Sequence, residues 1–300
     1  MTPYAMKRKF FLYCSAAIIL LVGCEKNISI KLKTTEPKLV VEATIENGQP
    51  PIVYLSQSID YFSKITPEIL ENNFIHSASV YVSNGVLTHQ LKEYKITISG
   101  GYNIYFYSID SSNLATAFSG QLNTQYSLRI SWQGKDFTAT TSIPRITKKI
   151  DSIFWQQAPG NNKPDKVALM IKATDPPGLG DYVRYFTKRN SEPFYPGLTS
   201  TFDDQIIDGT TYEIRIDRGV DRNTSRQDDY MYFDKGDTIT LKLCNIDKAT
   251  FDFWRTMEFN YTSIGNPFSS PTQVISNING NALGYFGGYA AQYRTIIVPK

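Results

Sequence analysis

The side chains able to do chemistry fall in a few places along the 300-residue chain. Acidic residues cluster at Asp203 and Asp204 with Asp208, and again at Asp228 and Asp229 with Asp234 and Asp237. Carboxylate oxygens spaced along loops suit calcium, a hard cation that takes many oxygen ligands, so Asp203, Asp204, Asp228 and Asp229 are calcium candidates. The same segments also read as turns, because Asp208-Gly209 and Asp234-Lys235-Gly236-Asp237 are common turn sequences. Arg215, Arg218, Arg222 and Arg226 stand close enough in sequence to pair with these acids. The turn reading is preferred and no metal is assigned. His76 and His89 lack ligand spacing, and His89 sits in a strand-like run, so neither supports a zinc site or a triad. No GxSxG elbow or HExxH pattern occurs. A glycosidase would need two converging carboxylates, which the sequence does not place. Cys244 ends the alternating run Thr240-Leu241-Lys242-Leu243-Cys244. There a small half-buried strand residue is preferred over a nucleophile. No catalytic residue and no cofactor are assigned, and the chain does not read as an enzyme.

Cys24 has a better-defined chemistry. Lys7, Arg8 and Lys9 precede an uncharged, mostly apolar run from Phe10 to Val22, followed by Gly23-Cys24. As a helix this run rises only about 20 Å, short of a bilayer core of roughly 30 Å, so it does not read as a permanent transmembrane helix. A basic start, a short apolar stretch and a small residue at the cut describe a secretory signal peptide. With cysteine next, Leu21-Val22-Gly23-Cys24 looks like a bacterial lipobox, in which the cysteine is diacylated, Gly23–Cys24 is cleaved and the new amine is acylated. Several acyl chains together give stable anchoring, so the expected address is the cell outer membrane, on its periplasmic or surface side. Residues 1–23 are then signal peptide, and 24–37 an acylated N-terminus and polar tether.

Removal of that segment changes the bulk properties. The formal charge of +3 resides wholly in Lys7, Arg8 and Lys9, and a near-neutral mature chain gives no electrostatic case for nucleic acid. Cys14 leaves with the signal and Cys24 is acylated, so Cys244 is the remaining thiol and no internal disulfide is available. The fold must be held by its core.

The elements that would position any site are mostly strands. From Lys38 the hydrophobic period becomes two: Leu39–Ile45 and Ile52–Ser56 read as strands with Asn47-Gly48 between them. One helical turn is expected near Pro67-Glu68-Ile69-Leu70. Asn84-Gly85 joins one hairpin, and Gln133-Gly134 joins another between Tyr126–Ile130 and Lys135–Thr141. Seven or so short strands over residues 38–145 suggest an antiparallel, immunoglobulin-like β-sandwich. Residues 146–300 read as a second β-rich, sandwich-like domain with strands at Asp151–Trp155, Val167–Ala173, Tyr182–Phe186, Thr211–Ile216 and Ile239–Leu243. Its one helix, about 247–260, starts at the N-cap candidate Asp247 and carries Ala249, Phe253, Trp254 and Met257 toward a sheet. The expected class is all-β: two sandwich-like domains with one short helix packed on the second.

The last stretch is the most distinctive. Asn266-Pro267-Phe268-Ser269-Ser270-Pro271 leads to Val274–Asn281 and then to Ala282-Leu283-Gly284-Tyr285-Phe286-Gly287-Gly288-Tyr289. Gly284, Gly287 and Gly288 permit close backbone approach, and the preferred reading is a kinked final strand crossing the sheet. As a surface, Tyr285, Phe286 and Tyr289 are the candidate contacts for a partner or ligand. No phosphate loop is present. Together with the lipobox, Leu39-Val40-Val41-Glu42, Phe137–Thr140 before Ile143-Pro144, Asp151-Ser152-Ile153 and Gly236-Asp237-Thr238-Ile239, this ending resembles a lipoprotein family of the Bacteroidota catalogued as domain of unknown function 4249. The resemblance spans nearly the whole mature chain and implies no defined activity or catalytic residue. It implies an envelope lipoprotein, non-catalytic, working as an accessory or binding component beside a TonB-dependent outer-membrane transporter. The alternative is direct capture of a glycan or peptide on the aromatic-rich second domain, and a calcium-dependent hydrolase ranks last. Asp151-Ser152-Ile153 and Asp237-Thr238-Ile239 also resemble the short O-glycosylation motif of Bacteroidota envelope proteins.

Overall fold

The computed structural model describes residues 36–59, 65–98, 100–160, 163–224, 228–264, 266, 269–270 and 272–300. The signal segment, Cys24 and the tether as far as residue 35 lie outside the described residues.

The fold grows from strands whose alternation is visible locally. β1 (Leu39–Glu46) buries Leu39, Val41, Ala43 and Ile45 and turns the intervening residues to the other face, as a period of two requires. β2 (Ile52–Gln57), β3 (Ser79–Ser83), β4 (Thr88–Thr97), β5 (Asn103–Ile109), β6 (Thr124–Trp132) and β7 (Lys135–Ile143) follow, with a short helix α1 (Pro67–Asn72) after β2. The hairpin turns work as their residues predict. Gln133 and Gly134 both adopt positive φ, and Asn84 Oδ1 accepts from the amides of Val86 and Leu87.

The second half contributes β8 (Lys149–Gln157), β9 (Lys166–Thr174), β10 (Tyr182–Arg189), β11 (Tyr195–Phe202), β12 (Thr211–Ile216), β13 (Phe233–Asp234), β14 (Thr238–Ile246) and β15 (Leu283–Ile297). Helix α2 (Lys248–Ser263) lies between β14 and β15. The chain is all-β in class, with an eleven-stranded sheet in the order β11-β10-β14-β15-β1-β2-β5-β4-β3-β6-β7 and a four-stranded sheet of β8, β9, β12 and β13.

The residue-145 boundary expected from the sequence falls in the β7–β8 connection, yet the large sheet carries strands from both sides of it. The seam is β1 against β15, a parallel pair running from Val40 opposite Leu283 to Glu46 opposite Tyr289. β14 pairs antiparallel along the other edge of β15, so the glycine-rich ending is a central strand. Glycine is required there: at Gly284, with φ +105°, an added Cβ would lie 1.8 Å from the Val41 carbonyl oxygen.

β7 also returns to β15. The Gly288 amide donates to Thr141 Oγ1 at 2.7 Å, and a Cβ on Gly288 would meet the Ser142 carbonyl oxygen at 2.3 Å. The N-terminal strands thereby roll around a core that includes Val41, Ile45, Leu128, Ile130, Phe137 and Phe286. A second core lies between the two sheets, with Leu169, Ile171 and Phe233 facing Val183, Leu241 and Leu243.

α2 covers the opposite face of the large sheet. Asp247 caps it, Oδ1 accepting from the Thr250 amide at 2.9 Å, while Oδ2 accepts from Thr141 Oγ1 and the Ser142 amide at 2.8 Å each. One carboxylate thus starts the helix and ties it to β7. The helix face matches the expected one at Phe253 and Trp254 and departs from it at Met257. Thr250, Phe251, Phe253, Thr256 and Glu258 are buried, whereas Met257 is exposed. A carboxylate takes an inward position there because β11 supplies its hydrogen bonds, a compensation that hydrophobic spacing does not reveal.

Candidate functional site

Tyr285, Phe286 and Tyr289 do not form an exposed surface: all three are buried, because β15 is an interior strand with both edges paired. Alternation sends them to different faces. Phe286 enters the N-terminal core, and Tyr285 and Tyr289 point to the α2 side. There they line a pocket of about 360 Å³ with Glu42 and Glu46 of β1, Arg184 of β10, Lys242 of β14 and Trp254 of α2.

Arg184 organises this pocket. Its guanidinium carbon lies 3.4 Å from the centre of the Trp254 ring and 4.8 Å from that of Phe186. Its Nε donates to Ser200 Oγ at 3.1 Å and its Nη1 to the Tyr289 hydroxyl at 3.4 Å. Trp254 Nε1 donates to that same hydroxyl at 3.0 Å, so Tyr289 holds cation and indole together. Behind them sits Glu258, also buried. It accepts from the Ser200 amide at 2.8 Å, from Thr201 Oγ1 at 3.2 Å and from Ser200 Oγ. Arg184 and Arg222 approach its Oε1 at 4.0 and 3.6 Å. A buried carboxylate is tolerable only with such partners.

The remaining charges give the pocket a donor side and an acceptor side. Arg222 lies over the Tyr261 ring at 4.8 Å, and its buried Nε and Nη2 have no hydrogen-bond acceptor among the described residues. Burial pulls the Arg222 guanidinium below its ordinary value, with Glu258 opposing. Lys242 pairs with Glu46, which also accepts from the Tyr293 hydroxyl. Glu42 stands at the solvent-facing mouth; desolvation against the wall pushes its carboxyl up, and Arg184 pulls it back.

The calcium candidates do not meet in one place. Asp204 is buried and accepts from the Gly180 and Asp181 amides at 2.8 Å each. Asp229 pairs with Lys163 at 2.7 Å and Lys166 at 3.6 Å. Asp203 lines a different cavity. Among the described residues, the acidic group whose oxygens come within 4.8 Å of one another is Asp175, Asp204 and Asp208, of which only Asp204 was a candidate. Lys148 supplies a buried counter-charge there, its Nζ 3.5 Å from Asp175. Burial pushes the Asp175 carboxyl up, Lys148 acting against it.

Both histidines are structurally engaged. His89 is buried, its Nδ1 2.9 Å from Thr116 Oγ1 and its Nε2 accepting from the Asp110 amide at 3.0 Å. His76 pairs with Glu93. Cys244 is wholly buried, and burial pushes its thiol up to about 12.

An all-β scaffold with a buried arginine–aromatic pocket defines this molecule. The chain belongs to the family described as a domain of unknown function (DUF4249), whose model matches residues 25–295. No curated protein matches it.

Proposed function

We propose that this chain is a non-catalytic lipoprotein of the outer membrane, anchored through Cys24 and working as an accessory or binding component beside a TonB-dependent transporter. The observation that carries the reading is the pocket around Arg184, Trp254 and Tyr289. It gathers fixed donors, acceptors and aromatic faces in one concavity, the composition of a recognition site. Leu21-Val22-Gly23-Cys24 supports the lipid anchor, and the near-neutral mature chain supports a partner other than nucleic acid. Cys244, wholly buried with its thiol pushed up to about 12, is not available as a nucleophile.

A second reading, direct capture of a glycan or peptide, is favoured by one feature. Buried Nε and Nη2 of Arg222 have no hydrogen-bond acceptor among the described residues, while Glu42 presents an acceptor at the mouth, a pairing that suits a ligand with both hydrogen-bond senses. The calcium-dependent hydrolase has least support, since Asp229 is engaged by lysines and Asp204 by backbone amides.

The test is crosslinking and pull-down from native outer membranes with a C-terminal tag and a Cys24→Ala control. Recovery of a TonB-dependent barrel with the lipidated form alone supports the accessory role. Recovery of nothing by a lipidated, folded protein overturns it. A glycan or peptide that quenches tryptophan emission without any partner moves the assignment to the second reading.

A further inference from the structure

A second cavity, of about 540 Å³, lies on the other side of Glu258 and has a different character. Its walls are Ile171, Ile214 and Ile216 from the small sheet, Val183 and Leu243 from the large one, and Phe251 from α2. The volume falls within the range of small-molecule sites, about 300–1,000 Å³. Apolar chains continue outward onto the lip, where Ile206 is 95% exposed and Phe202 and Phe259 are partly so.

One positive charge stands at this lip. Arg255 of α2 lines the cavity and holds its guanidinium 5.5 Å from the centre of the Phe251 ring. Among the described residues no carboxylate lies within ion-pair distance of it, as holds also for Arg129, Arg145 and Arg294, which do not line this cavity, whereas Arg184, Arg189, Arg215, Arg218 and Arg222 each have one. The acids nearby define what Arg255 can take. Glu258 is saturated by Ser200, Thr201 and two arginines, and Asp203 on the same lip disfavours a head with several negative charges.

We propose that this cavity binds the apolar chain of a singly charged anionic amphiphile, such as a long-chain carboxylate, with Arg255 pairing its head. Tyr185, Tyr212 and Thr199 add a few polar atoms, but along Ile171, Ile214, Ile216 and Leu243 a glycan's hydroxyls would lose water without gaining partners, so the walls favour a hydrocarbon chain. The chain of an amphiphile gains from the same walls, and its head needs the cation the lip provides. This site is separate from the Arg184 pocket and adds a ligand class to it.

The test uses the full chain carrying Cys24→Ala, so that no acyl chain of its own competes. Displacement of a fluorescent fatty-acid probe is measured with dodecanoate and with uncharged 1-dodecanol. Both are expected to displace the probe. Arg255→Gln should weaken dodecanoate about fivefold and leave dodecanol unchanged, as an ion pair at a partly exposed site implies. Ile214→Trp, at a partly exposed position on the cavity wall, should abolish binding of both while the protein stays folded by circular dichroism. Absence of probe binding by the unsubstituted cavity, binding unaffected by Ile214→Trp, or equal weakening of both ligands by Arg255→Gln would overturn the proposal.

Discussion

The guanidinium carbon of Arg184 sits 3.4 Å from the centre of the Trp254 ring, and both side chains donate to the hydroxyl of Tyr289. This contact joins β10, α2 and β15, and it places a desolvated cation against an indole face. Such contacts are worth about 2 kcal/mol when buried. Arg184→Lys keeps the charge and loses the planar stack, so it should destabilise by about 1–2 kcal/mol. Arg184→Met should cost about 3–5 kcal/mol, because it also removes one of the two arginines beside Glu258. Urea unfolding of the two variants checks the order, and Glu258→Gln in the Met background should recover part of the loss.

The seam between β1 and β15 depends on backbone proximity. At Gly284 any Cβ would overlap the Val41 carbonyl, and the positive φ adds strain. Gly284→Ala should therefore lose at least about 3 kcal/mol and reduce the folded yield sharply. Gly85→Ala is the control, since nothing lies near its Cβ, and it should cost about 1 kcal/mol from φ alone.

Asp237 gives the stability a defined acid limb. Burial tends to raise its carboxyl, but the Asp234 amide, Arg189 and Asn190 outweigh it and hold the group below the ordinary 3.8. The bonds are 2.8 Å from the Asp234 amide, 2.7 Å from Arg189 Nε and 2.9 Å from Asn190 Nδ2. A depressed carboxylate stabilises fully above its unfolded value, and the contribution disappears as pH falls through the lower folded value. Asp237→Asn should cost about 1–3 kcal/mol at neutral pH, and the gap from wild type should narrow as pH falls below the ordinary 3.8. Denaturant melts across that range measure it.

Cys244 should be silent to thiol reagents while the protein is folded. Its burial is complete and its thiol is pushed up to about 12, so thiolate is scarce and access is closed. In a Cys14→Ser/Cys24→Ala background, where Cys244 is the one remaining thiol, iodoacetamide should label it only in denaturant. Rapid labelling of the folded protein would remove the structural reading of this residue.

What the sequence made legible was local. Leu39–Ile45 announces its own alternation, Gln133-Gly134 its turn, and Asp247 its cap, because each signal lies within a few residues. The β1–β15 seam was hidden, since a parallel pair between strands more than two hundred residues apart leaves no short-range trace. For the same reason the sequence could not separate the preferred packed strand from the alternative of an exposed surface at Tyr285 and Tyr289, which are buried and line a pocket. Arg184 and Glu258 were hidden differently: charged residues are expected outside, and their burial follows from partners at Ser200, Arg222 and Tyr289 brought together by tertiary folding. The calcium candidates failed to converge because the lysines and backbone amides that engage Asp229 and Asp204 come from other segments.

The central claim, that the Arg184 pocket is a recognition site, is tested most directly by what the protein carries out of its own membrane. Lipidated wild type and an Arg222→Ala/Trp254→Phe variant, matched for folding, would be purified in mild detergent and weighed intact by native mass spectrometry. The account predicts a bound species on the wild type that the variant lacks. Identical bound species on both proteins would contradict it.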